Sequence, residues 1–195
     1  MKSVLISIQP KWCELIASGK KTVEVRKTKP KIETPFKCYI YCTRGDSLNY
    51  LRNSFFDNVN KFWVDNEAFG ANVARANGKV IGEFVCDQID EIGYSPEMHG
   101  KYTSDIDDIH YVSCVDFEQM FDYLADGYGY AWHISDLVIY DKPKELREFK
   151  PYNRTEDDCK FSNLGYAIPK CEDCHECYVK RPPQSWCYVE ELKGE

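Results

Sequence analysis

The chain of 195 residues is 43% hydrophobic, 14% aromatic and 29% charged, with a mean hydropathy of -0.54 and a formal net charge of -7. That length suits one globular domain, spanning residues 1–195, with a core of its own, and the aromatic content excludes a disordered or coiled-coil chain. No window approaches the roughly 20 apolar residues of a membrane helix, and the acidic balance excludes a protein that coats nucleic acid by bulk positive charge.

The first run, Val4 to Ile8, places Val4, Ile6 and Ile8 on one face, a strand pattern. It reaches Gln9-Pro10-Lys11 too soon for a signal peptide, so a soluble, cytoplasmic protein is expected. Pro10 suits a helix start, Trp12, Leu15 and Ile16 fall at helical spacing, and Gly19 stops the helix. Thr22 to Arg26 then alternates, predicting a strand with Val23 and Val25 toward the core and Thr22, Glu24 and Arg26 on the other face. Phe36 to Cys42 reads as a third strand, residues 44–78 as an irregular or helical insertion, and Lys79 to Cys86 as a fourth strand. Phe117, Met120, Phe121 and Leu124 repeat at three- and four-residue steps, an amphipathic helix ended by Gly127-Tyr128-Gly129. A strand around Ala131 to Tyr140, a cysteine-rich loop over residues 159–177 and a closing strand from Ser185 to Glu190 complete the chain. Strands outnumber helices and lack regular crossovers, which favours a small mixed barrel over a doubly wound sheet.

Charge is unevenly placed. Met1 to Lys31 carries 8 Lys or Arg against 2 Glu, whereas Glu83 to Asp126 carries 12 acidic residues against Lys101 alone. The basic end is a candidate face for an anionic ligand, and the acidic stretch a candidate face for a basic protein partner.

Ten cysteines without an export signal point to thiols or metal rather than disulfides. Cys38, Cys42 and Cys86 lie in apolar runs as small core side chains. Cys171, Cys174 and Cys177 are spaced so that one turn can aim three sulfurs at one ion, for which zinc fits best; Cys159 or Cys187 is the candidate fourth ligand, with His175 the remaining option. An iron–sulfur cluster and plain loop thiols are the alternatives.

Gly19-Lys20-Lys21-Thr22-Val23-Glu24-Val25-Arg26 fits the pattern Gly-x-Lys-x-x-Glu-x-Arg. This resembles the signature of the ASCH domain family. Ile8 to Lys11, Lys37 to Thr43, Trp132 to Asp136 and Arg181 to Glu190 look like bacterial and phage members of it. The resemblance implies an α+β fold, a PUA-like mixed β-barrel with flanking short helices, and RNA or modified-nucleotide binding in a cleft lined by the motif. Similar proteins include a ribonuclease and an acetylcytidine amidohydrolase. In the latter the motif lysine is catalytic and a threonine nucleophile stands where this chain has Glu24, so only Lys21 carries over.

From the residues themselves, Lys21 offers a cation, and Glu24 with Arg26 an acceptor beside a fork of donors. Lys21, Glu24 and Arg26 are therefore the expected ligand-binding residues, with Lys21 and Glu24 the proton carriers if the protein is an enzyme acting on RNA or a nucleoside. The opposing expectation is a surface ion pair without functional meaning. Trp12, Tyr39, Tyr41 and Trp132 are candidates to stack bases, and His133 joins Trp132 as a candidate at the cleft. On this reading Lys21→Ala weakens ligand binding and leaves stability nearly intact.

Overall fold

The computed structural model describes residues 1–44, 78–95, 101–103, 106, 108–125, 127–152 and 177–192. Strand β1 (Lys2–Ile8) leads into α1 (Pro10–Ala17), which has Pro10 in its first turn, where no intrahelical N–H is needed. Gly19, at φ +72, reverses the chain behind the helix, and the Lys20 and Lys21 amides both donate to the Leu15 carbonyl. Strands β2 (Val23–Arg26), β3 (Phe36–Cys42), β4 (Lys79–Cys86), β5 (Ile89–Ser95) and the short β6 (Lys101–Thr103) follow. Two short helices come next, α2 (Ile109–Ser113) and α3 (Phe117–Leu124), their first turns capped by the carboxylates of Asp108 and Asp116. Strands β7 (Tyr128–His133), β8 (Ser135–Lys144) and β9 (Trp186–Glu190) end the order.

The strands form a five-stranded sheet, β8-β4-β3-β1-β9, and a four-stranded sheet, β2-β7-β5-β6. Val4, Ile6, Ile8, Cys38, Ile40, Cys42, Phe84 and Cys86 belong to one core cluster with Trp132 of the smaller sheet. The opposite face of the smaller sheet packs Val23, Val25, Ile92 and Ala131 against Met120 and Leu124 of α3. The opposite face of the larger sheet buries Leu5, Tyr39, Tyr41 and Val80 with Phe149 and Val179. The larger sheet is thus covered on both faces, which explains why β1 is buried without a break from Ser3 to Ile8.

A closed barrel is not what these strands build. Two corners join the sheets: the chain passes from β4 to β5 at Asp87-Gln88, and from β7 to β8 at Ile134. The expected single strand from Ala131 to Tyr140 is therefore two strands in different sheets. β2 cannot close the other side onto β1, because β3 and β9 already occupy both edges of β1. Of the expected insertion at residues 44–78, all but Arg44 and Gly78 lies outside the described residues, as does most of the cysteine-rich loop. Cys38, Cys42 and Cys86 are core residues as expected, and burial pushes the Cys86 thiol up to about 12. No helix among the described residues is long and apolar enough to cross a membrane.

Candidate functional site

The turn after α1 and strand β2 bring three motif charges together. Lys21 is 2% exposed, Glu24 5% and Arg26 7%, values that rule out the surface ion pair. All four residues of β2 are buried, so the polar side of the strand is no solvent face: Glu24 and Arg26 lie on the side that carries Trp132, facing the larger sheet. Lys21 Nζ lies 3.3 Å from Glu24 Oε2 and donates to the Ser113 carbonyl at 2.6 Å. Arg26 Nη2 lies 2.9 Å from Glu24 Oε1 and donates to the Ser7 carbonyl at 2.6 Å.

Both tethers have a local reason. Thr22 N–H donates to the Val112 carbonyl, which holds the end of α2 beside the motif and aims Ser113 at Lys21. Ser7 lies one residue past the β1–β9 ladder, so Arg26 takes up a carbonyl that β9 does not reach. Arg26 thereby links the two sheets where no backbone ladder among the described residues does.

The cluster lines a cleft of about 860 Å³. Its walls are the end of β1, Lys11 and Trp12 of α1, the motif strand, Gln119, Asp122 and Tyr123 of α3, and the segment Pro182 to Ser185. That last segment is pinned to β1: Ser7 Oγ donates to the Pro183 carbonyl at 2.7 Å, and Ser7 N–H to the Ser185 carbonyl at 2.9 Å. Lys21 Nζ stands 5.1 Å from the centre of the Trp12 ring. Burial pushes the Tyr123 phenol up; the Arg26 guanidinium opposes the shift and the Glu24 carboxylate adds to it.

The family model of the ASCH domain matches residues 6–137, about two thirds of the chain and including every motif residue. The chain belongs to the ASCH domain family. Two crystal structures of variants of the ASCH protein from Zymomonas mobilis resemble the fold of this ASCH domain. One has a TM-score of 0.52 at 19% identity, covering 98% of this chain and 92% of the other. The second has a TM-score of 0.51 at 18% identity, covering 97% and 89%. No curated protein sequence matches the chain significantly.

Within the ASCH fold, Lys21, Glu24 and Arg26 meet in the cleft, while Trp132 and His133 do not line it. Trp132 is fully buried between the sheets, edge-on to Phe36, so it has no face for a base. His133 lies opposite Val23, on the other side of β7, where Nε2 pairs with Asp90 Oδ2 at 2.6 Å. Of the other aromatic candidates only Trp12 lines the cleft; Tyr39 and Tyr41 are buried on the far face of the larger sheet. The sequence reading missed Ser7 and Ser113, whose backbone carbonyls act regardless of side chain. It also missed Gln119, Asp122 and Tyr123, whose signal was the polar side of the amphipathic helix. Of the zinc candidates, Cys159, Cys171 and Cys174 lie outside the described residues. Cys177 is buried, and burial pushes the Cys187 thiol up to about 11.

Burial also reverses the expectation that Lys21 can be removed at no cost to stability. Glu24 neutralises two buried cations, so Glu24→Gln leaves both uncompensated and is expected to cost about 3–5 kcal/mol. Lys21→Met keeps the stem and leaves Glu24 paired with Arg26, and costs less. Lys20→Met, at the exposed neighbour, stays within about 0.5 kcal/mol. Urea unfolding of the three variants checks this order; three equal, small changes would contradict the buried cluster.

Proposed function

We propose that this ASCH domain binds RNA or a modified nucleotide, with Lys21, Glu24 and Arg26 facing the ligand's anionic part in the cleft. The observation that carries this reading is the charge of the cluster. Two cations share one carboxylate in a wall almost closed to water, which leaves one positive charge for a ligand to neutralise. Arg26 Nε supports it, being a buried donor with no partner among the described residues. Trp12 supplies a ring on which a base can stack, worth about 1–3 kcal/mol. Gln119 and Gln184 supply amides able to read a base edge.

Binding is favoured over proton transfer because both Glu24 oxygens are engaged, one by each cation. The reading includes a reducing, cytoplasmic setting, in keeping with the buried, unbridged thiols Cys13, Cys38, Cys42 and Cys86. It also includes a zinc ion on Cys171, Cys174 and Cys177, with Cys159 as fourth ligand, bracing the segment that leads to the cleft rim. Support on the structural side is the position of Cys177, two residues before Val179, whose amide donates to the Phe149 carbonyl at 2.8 Å.

Fluorescence anisotropy with a labelled single-stranded RNA tests the binding reading, at a temperature where circular dichroism shows each variant folded. A charge-assisted contact is worth about 1.5–3 kcal/mol, so Lys21→Gln should bind at least about tenfold more weakly. Lys20→Gln should stay within about twofold, and affinity should fall steeply with salt. Equal, small effects from the two variants would overturn the assignment. For the metal, elemental analysis of protein purified under reducing conditions should find about one zinc per chain. No transition metal, with native alkylation of Cys171, Cys174 and Cys177, would remove zinc from the reading.

A further inference from the structure

We infer that a second anion-binding cavity adjoins the cleft. In it Arg44, Arg147 and Lys180 hold backbone phosphates of a single-stranded RNA whose neighbouring nucleotide occupies the cleft. The inference rests on the RNA reading above and names the form of its ligand. The second cavity, of about 780 Å³, opens between the end of β3, the 3-10 turn Leu146–Glu148 and the segment from Val179 to Pro182. Thr43 and Pro182 line both cavities, so the two concavities flank one ridge.

The charge in this cavity runs against that of the chain. In a protein of net charge -7, Arg44, Arg147 and Lys180 converge on one concavity, all three exposed. Glu145 is the only acid among the lining residues, and Lys79 already neutralises it at 2.9 Å. The lining leaves room for Arg44. Gly78 sits at φ +82, and a Cβ there would come 2.7 Å from Arg44 Nε, so the guanidinium lies against bare backbone. A planar fork so placed matches a phosphate's oxygens better than a flexible ammonium does.

The two cavities differ in what they offer. The cleft has the Trp12 ring and the amides of Gln9, Gln119 and Gln184, which suit a base. In the second cavity Tyr41 is buried and the exposed charged groups are cations, which suit phosphodiesters. Pockets of this kind take splayed bases of a single strand, since a duplex keeps its bases stacked and paired. A mononucleotide fills the cleft alone; an oligonucleotide crosses the Thr43–Pro182 ridge and reaches both.

The test compares uridine 5′-monophosphate, followed by calorimetry, with a labelled oligouridylate, followed by anisotropy, for the natural chain and the double variant Arg147→Ala/Lys180→Ala. Both side chains are exposed, so the melting temperature should change little. The double variant should bind the oligouridylate about tenfold more weakly, with a log–log salt slope smaller by about 1.4, two contacts at about 0.7 each. Its affinity for the mononucleotide should match that of the natural chain. Unchanged oligouridylate affinity and slope in the variant, with the natural chain binding both probes, would overturn the second cavity and leave the cleft reading standing. Equal weakening of both probes would also overturn it, because the two sites would then not be separate. A natural chain that binds neither probe would remove the cleft reading itself, and this inference with it.

Discussion

The Glu24 carboxylate sits between two cations that cannot both be buried without it. Taking an ion out of water costs several kcal/mol even after relaxation, and the cost is recovered only where geometry and further hydrogen bonds are good. Here the Ser7 and Ser113 carbonyls supply those bonds, and each comes from a different part of the fold. Ser113 ends α2, which lies against β2; Ser7 is the penultimate residue of β1 in the other sheet. The cluster therefore stands where α2, the motif strand and the larger sheet meet, and it bridges the side that no backbone ladder among the described residues closes. The proposed function and the architecture share the same atoms. The cations that tie the motif strand to α2 and to the larger sheet also give the cleft wall its positive charge.

That arrangement is how an acidic chain can meet the anionic ligand proposed for it. The net charge of -7 is a sum, and its acids are concentrated from Glu83 to Asp126. Of the cleft-lining residues only Glu24 and Asp122 are acidic, against Lys11, Lys21 and Arg26. Low-dielectric walls sharpen such local imbalances, so a ligand responds to the cleft and not to the total.

Much of the fold was legible because its periodicities are strong. β3 and β4 match their apolar runs at both ends, and α1 and α3 match theirs closely. β5 escaped notice because its one buried residue, Ile92, follows Asp90 and Glu91 rather than alternating with polar neighbours. α2 escaped because Ile109-His110-Tyr111-Val112-Ser113 has strand-like composition; the Asp108 side chain, accepting from the Tyr111 amide, caps it as a helix. The motif was found, but its burial was not. Alternation assigns Val23 and Val25 one face and Glu24 and Arg26 the other, and it cannot say that a second sheet covers that other face. Trp132 was misplaced for the same reason, since an aromatic beside a motif looks alike in sequence whether it lines a cleft or fills a core. The Pro182 to Ser185 rim reaches the site only through long-range pairing of Ser7 with Ser185 and Pro183, which no local pattern encodes.

The central claim is that the buried cluster meets the ligand's negative charge through Arg26. Following the Arg26 side-chain Nε–H resonance by nuclear magnetic resonance during titration with a 5′-phosphorylated single-stranded RNA tests it most directly. The account predicts that this signal is among those that shift most, and that it saturates together with the anisotropy of the bound RNA. Saturation of RNA binding with the Arg26 signal unmoved would contradict it.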